Sequence, residues 1–343
     1  MKFFGILSAV NSPGRGNLTF EKELYKIEYN SCIQSTFYKK RMIMRTRFGE
    51  LENMMVKEKA YAKVNLGLDV LRRRPDGYHE LKMIMQTVDI CDDLTFERKK
   101  EPGVLLRIEG ADLPADKDNL VCRAAALLME EKRIHEGVSI TLKKRIPIAA
   151  GMAGGSADAA ATMRGLNALF EMGYSTEKLR KLGVKLGADI PYCILGGTML
   201  SEGIGEVLTP LAPPPECCLV VAKPDIDVST AFVYRNLKAD SLPFHPDIDG
   251  MARALEAGDL QGITDRMENV LETVTVREYP IIDRIKGRMR ELGAENALMS
   301  GSGPTVFGIY KDRETAKKAA DAIREEKLAG AVFETRFCGG VNA

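Results

Sequence analysis

The chain is 343 residues long, 45% hydrophobic and 28% charged, with 49 basic residues against 48 acidic ones and a formal net charge of +1. That supplies apolar material for two cores of ordinary domain size. Nothing in this charge balance points to nucleic acid or an anionic membrane as an obligate partner, while a local basic pocket for a phosphorylated ligand has room.

No run approaches the ~20 apolar residues of a spanning helix. At the start, Lys2 precedes a short apolar run over residues 3–10, at the lower limit for the core of a signal peptide. The basic cluster Lys39-Lys40-Arg41 follows in a stretch without clear periodicity, so residues 1–54 are expected to form an N-terminal extension with no catalytic role. Loose alternation over residues 59–70 predicts a strand, and Arg74-Pro75-Asp76-Gly77 a turn. Strands are expected over 81–88, 94–98 and 138–142, and helical spacing marks 120–132. Helices follow over 159–170 and 176–186, the latter capped by Ser175 or Thr176. The run Pro213-Pro214-Pro215 breaks the chain before a strand over 218–222. Beyond it, helices (248–257, 279–292, 313–326) mix with strands (297–300, 305–310, 332–336). The absence of a regular β-α-β rhythm favours an α+β fold over a doubly wound sheet.

The seven cysteines (Cys32, Cys91, Cys122, Cys193, Cys217, Cys218 and Cys338) form no C-x-x-C pair. Idle thiols in a reducing cytoplasm are expected, rather than a disulfide framework or a zinc site. His79, His135 and His245 stand far apart in sequence, so no metal site is assigned.

The central feature is the stretch Pro147, Ile148, Ala149, Ala150, Gly151, Met152, Ala153, Gly154, Gly155, Ser156, Ala157, between a strand and an alanine-rich helix. Small residues let backbone N–H groups approach an anion, the following helix start carries partial positive charge, and Ser156 adds a hydroxyl. A close-packed turn would also use small residues. Three glycines, a serine and a helix start at one point favour a phosphate site. It is neither a Walker A loop, since the lysine is missing, nor G-x-G-x-x-G. A second cluster, Ser300-Gly301-Ser302-Gly303-Pro304, reads equally as a tight strand entry or as a second wall of the site.

These residues resemble the GHMP kinases, named for galactokinase, homoserine kinase, mevalonate kinase and phosphomevalonate kinase. Four ordered stretches carry a closer resemblance, to the members acting on a cytidylylated methylerythritol: Ala62-Lys63-Val64-Asn65-Leu66, Arg74-Pro75-Asp76-Gly77-Tyr78-His79, Gly154-Gly155-Ser156-Ala157-Asp158-Ala159-Ala160 and Leu186-Gly187-Ala188-Asp189-Ile190-Pro191. The resemblance implies a two-domain α+β kinase with its active site in the interdomain cleft. An ATP-binding N-terminal domain would span residues 55–200 and a C-terminal domain 201–343. ATP would be the co-substrate, carrying Mg2+ on its phosphates, and the 2-hydroxyl of the small-molecule acceptor would be phosphorylated in the non-mevalonate isoprenoid route. A cytoplasmic enzyme without nucleic-acid or membrane partners is implied; the oligomeric state is left open.

By the same resemblance Asp189 is the catalytic base and Lys63 its partner, Asn65 bonds the acceptor, and Tyr78 with His79 reads the cytosine ring. Tyr234 is the opposite aromatic wall or an ordinary aromatic, and Gly301 and Gly303 belong to the substrate side. One departure is Ala157, where many relatives carry a second serine; any role for that hydroxyl is in doubt here.

Overall fold

The computed structural model describes residues 55–339; the expected N-terminal extension and the short apolar run within it lie outside the described residues. Six strands build the first sheet: β1 (Met55–Arg73), β2 (His79–Lys99), β3 (Gly103–Glu109), β4 (Gly137–Lys143), β5 (Thr198–Gly203) and β6 (Val207–Pro210). Its order is β3-β4-β2-β5-β6, with β1 paired antiparallel along β2. Four strands build the second sheet in the order β10-β7-β9-β8: β7 (Cys218–Lys223), β8 (Asn296–Met299), β9 (Val306–Tyr310) and β10 (Ala331–Thr335). The helices are α1 (Leu120–Lys132), α2 (Gly154–Leu169), α3 (Thr176–Gly183), α4 (Ile190–Leu195), α5 (Thr230–Asn236), α6 (Ile248–Glu256), α7 (Leu260–Thr264), α8 (Glu272–Glu278), α9 (Ile281–Glu291) and α10 (Arg313–Glu325). Sheets and helices mix as expected for α+β, and among the described residues no helix is long and apolar enough to cross a membrane.

Local chemistry sets the element ends. Asn119 and Ser175 accept from Val121 N and Lys178 N to cap α1 and α3, as Asp312 does for α10. Two differences from the sequence reading matter. The strands expected over 81–88 and 94–98 are one strand, β2, continuous through a bulge in which its residues Val88, Asp89 and Ile90 face the single residue Ala62 of β1, between the Lys63–Thr87 and Tyr61–Cys91 pairs. Helix α2 begins at Gly154, five residues earlier than its apolar stripe suggests, because Gly154 and Gly155 are helical here despite low intrinsic propensity.

Helix α2 is the central strut of the first layer. Gly165 lies against the Phe96 ring so closely that a Cβ there would overlap it. Arg164 pairs with Glu58 at 3.1 Å and donates to the carbonyls of Cys193 and Lys59, tying α2 to α4 and β1. Strand β5 straddles residue 200 and, with β6, hydrogen-bonds into the first sheet. After β10 the chain returns to that sheet. Asp89 N donates to Arg336 O, Cys338 N to Thr87 O, and Gln86 Nε2 to Cys338 O. This strap fills the β2 edge between the segments paired with β4 and β5.

Candidate active site

Lys63 and Asn65, two residues apart on β1, leave the same face of the strand and are 5% and 0% exposed. Lys63 Nζ donates to Asn65 Oδ1 at 2.7 Å and to Gly151 O at 3.2 Å. Among the described residues no ion pair reaches this ammonium, Asp189 included, so its charge remains available to an incoming anion.

Gly151 belongs to a turn whose backbone is left-handed at Ala149 (φ 50°), Gly151 (69°) and Ala153 (57°). Left-handed alanine costs about 1–2 kcal/mol, and such turns gather N–H groups around an anion. The turn runs into α2, whose N-cap residue Ala153 offers no side-chain acceptor. The first-turn N–H groups and the positive end of the 16-residue helix are therefore left for a ligand.

The second glycine turn backs directly onto the first. Ser300 Oγ donates to Gly151 O at 3.0 Å, and a Cβ on Gly301 would stand 3.0 Å from Gly151 O and 3.5 Å from Lys63 Nζ. Asn269 shapes this turn by donating to Met299 O (2.9 Å) and Gly301 O (2.8 Å). Of the two readings left open for the Ser300–Pro304 cluster, the geometry favours a wall of the site.

Asp189 is the N-cap residue of α4, and its carboxylate is not spent on capping. Burial pushes the neighbouring Cys193 thiol up, Asp189 reinforcing the shift and Lys63 opposing it, so both charges act at one locus. On the far side the His79 and Tyr234 rings lie 5.1 Å apart, tilted by 35°. Burial, then Arg73, holds His79 below its usual range, against Asp240. Tyr78 stands 59% exposed at the hairpin tip.

A cleft of about 950 Å³ joins these groups. Lys63, Asn65, Tyr78, His79, Asp189, Tyr234 and Gly301 all line it, as do Pro147, Ile148, Ala149, Ala150, Gly151, Ala153, Gly154, Gly155 and Ser156. Met152, Ala157 and Gly303 do not: the first two are each 1% exposed among core side chains, and Gly303 turns the chain behind Gly301. Met152 serves through its carbonyl, which accepts from Lys63 N.

Sequence reasoning missed the support beneath the loop. Lys144 Nζ bridges Asp92 Oδ2 (2.5 Å) and Asp158 Oδ2 (2.8 Å), with all three side chains at most 5% exposed. Asp92 Oδ1 also accepts from Arg145 N and Ile146 N. Asp158 Oδ1 is buried without a donor, and burial, with Asp92 alongside, raises this carboxyl well above its ordinary value despite Lys144. Asp92 and Lys144 are 52 residues apart, and Lys144 sits in a Lys-Lys-Arg run that reads as a solvated strand end. Nothing local announces the pairing.

The family model for the GHMP kinases N terminal domain matches residues 119–197, and that for the GHMP kinases C terminal region matches 251–328. The 4-diphosphocytidyl-2-C-methyl-D-erythritol kinase of Lachnoclostridium phytofermentans is 50% identical over 279 residues, 81% of this chain and 96% of that protein. The enzyme of the same name from Clostridium perfringens is 46% identical over 287 residues, 84% of this chain and the whole of that one. A crystal structure of 4-(cytidine 5'-diphospho)-2C-methyl-D-erythritol kinase superimposes with a TM-score of 0.72 at 36% identity, covering 83% of this chain and all of that chain. Homoserine kinase from Cytophaga hutchinsonii, at 20% identity and a TM-score of 0.69 over 86% of this chain and 98% of its own, shares the fold.

Proposed function

The chain belongs to the GHMP kinases, within the family of 4-diphosphocytidyl-2-C-methyl-D-erythritol kinases, and from that premise we propose how its residues transfer the γ-phosphoryl group of ATP to the acceptor's 2-hydroxyl. The carrying observation is the convergence of Lys63, Asp189, the Gly151 turn and the His79–Tyr234 pair on one cleft.

In the proposed mechanism the acceptor's cytosine enters between His79 and Tyr234, displacing their mutual contact, with Tyr78 closing over it from the hairpin tip. ATP lays its phosphates along residues Pro147 to Ser156, where backbone N–H groups and the α2 dipole offset their charge. Asp189 accepts the proton of the 2-hydroxyl as that oxygen attacks the γ-phosphorus. The bond to the β,γ-bridging oxygen breaks, and ADP leaves with that electron pair. General-base help of this kind is worth about 10²–10⁴ in rate. Lys63, steered by Asn65 and Gly151 O, places a buried positive charge where alkoxide and phosphoryl oxygens develop negative charge. Gly301 and its neighbour Gly303 hold the opposite wall close without side chains.

The Ser156 hydroxyl, which lines the cleft, suits Mg2+ that arrives on ATP and keeps phosphate and water among its ligands. Such an ion would add charge neutralisation at the transferring group. We place the functional division into an ATP-binding domain and a C-terminal domain in the connection after β6, because β5 and β6 complete the first sheet. A cytoplasmic setting fits the six free thiols among the described residues.

Incubation with ATP and, separately, the cytidylylated methylerythritol, homoserine and mevalonate tests the reading. Mass spectrometry of the products is expected to show phosphorylation of the first alone, and phosphorylation of either other acceptor alone would overturn it.

A further inference from the structure

Four long-chain cations line the cleft: Lys63, Arg73, Lys144 and Arg235. Two are already committed. Lys144 is neutralised by Asp92 and Asp158, and Lys63 is held at the transfer point by Asn65 and Gly151. The other two have no task in the mechanism so far.

Arg73 stands apart from its chain neighbours. Arg72 and Arg74 on either side pair with Glu80, and Arg74 also with Asp76. Alternation along β1 turns Arg73 away from both, and among the described residues it has neither an ion pair nor a side-chain hydrogen bond. Its register partner across the hairpin is His79, and its charge is felt there, helping to hold the imidazole below its usual range. Arg235 mirrors this arrangement on the other wall. It follows Tyr234 in α5, and its only acceptor among the described residues is its own helix, through Nε to Ala231 O at 3.3 Å. Each half of the aromatic pair thus carries an adjacent guanidinium facing one cleft, with no carboxylate among the described residues paired to it.

The acceptor's chemistry supplies the missing anion. Its base lies at His79 and Tyr234 and its hydroxyl must reach Asp189 and Lys63, so the diphosphate joining them crosses the cleft next to the base-reading pair. We infer that Arg73 and Arg235 clamp this diphosphate from two sides and select a nucleoside diphosphate ester over an uncharged nucleoside or a free polyol. The inference rests on the acceptor proposed above. Guanidinium groups suit the task because their planar forks match phosphate oxygens, whereas a diphosphate left unpaired in the cleft would oppose binding.

The test compares Arg73→Gln, Arg235→Gln and the double variant with the unaltered enzyme. Both side chains are exposed, so the variants are expected to fold. Each single change should raise the acceptor KM by roughly three- to thirty-fold, with kcat and the ATP KM held within about twofold. Arg73→Lys should recover part of the loss by restoring charge without the fork. Calorimetry with cytidine diphosphate and with cytidine supplies a readout independent of turnover: the double variant should lose affinity for the first and keep it for the second. Unchanged acceptor KM and diphosphate affinity, equal losses for cytidine and cytidine diphosphate, or a rise confined to the ATP KM would each overturn the clamp. If the unaltered enzyme fails to phosphorylate the acceptor, the proposed function falls, while the two calorimetric titrations still decide whether the arginines read a diphosphate.

Discussion

Replacing Gly151 by alanine separates two reasons for a glycine in a tight turn. Its φ of +69° is one, but Ala149 and Ala153 tolerate similar angles in the same loop, so the dihedral alone does not forbid a side chain. Space does. A Cβ at 151 would overlap Ser300 O deeply and stand 3.0 Å from Gly303 O and 3.2 Å from Gly303 N, all of them backbone atoms. A left-handed alanine costs about 1–2 kcal/mol. Forced displacement of a packed backbone adds about 1–3 kcal/mol, and loss of the Ser300 Oγ bond to Gly151 O about 1 kcal/mol more. The total is about 3–6 kcal/mol, equivalent to a fall in Tm of roughly 4–8 °C for a chain of this size. Gly173 is the control: its φ is +71°, yet nothing lies within 4 Å of its would-be Cβ. Gly173→Ala should therefore cost only about 1–2 kcal/mol. Scanning calorimetry on both variants reads the difference, and the ATP KM should rise only in Gly151→Ala, because Lys63 loses the carbonyl that steers it. Equal melting shifts in the two variants would refute the steric argument and leave the dihedral as the whole cause.

Asp189→Asn should lower kcat by about 10²–10⁴ with little change in either KM, read as single-turnover phosphoryl transfer; unchanged turnover would remove Asp189 as the base. Asp158 has a folded-state pKa raised above 3.8 by burial, so its contribution to stability is full below that value and is lost as pH rises through the raised one. Asp158→Asn should flatten this limb in thermal melts taken at rising pH from about 3.8. Burial pushes Cys217 up to about 12 and Cys193 higher still, so native alkylation at about pH 8 should leave both unlabelled by peptide mass mapping. Deleting residues 336–343 removes three hydrogen bonds to β2 and should cost about 2–4 kcal/mol, visible as a lower denaturant midpoint.

What could be read from the sequence followed the reach of each signal. Helices α1, α9 and α10 announce themselves through apolar spacing within a dozen residues, α1 and α10 with a capping side chain besides, and β1 through alternation. The phosphate turn is equally local, because a helix start and small residues must be contiguous to receive an anion. Strand β6 has four residues and α4 has six, too short for either periodicity to rise above background. The Lys144 bridge to Asp92 and the Asn269 bonds to the second glycine turn were illegible for a different reason. Their partners are brought together only by the finished sheets, and each residue taken alone reads as a side chain turned to water. Arg73 was hidden in a run of three arginines, two of which the fold neutralises.

The strap at residues 336–338 has a consequence for how the enzyme comes into being. The β2 edge it occupies belongs to the sheet that begins at Met55, yet Cys338 lies 252 residues beyond the Gln86 it accepts from. Every nascent chain that stops short of the strap presents the Thr87 carbonyl and the Asp89 N–H unpaired, a short open edge of the kind that recruits foreign strands. Completion of the first sheet therefore waits until residue 338 has been made, and a chain cut short before residue 336 would keep the residues of the cleft but leave that edge unsealed.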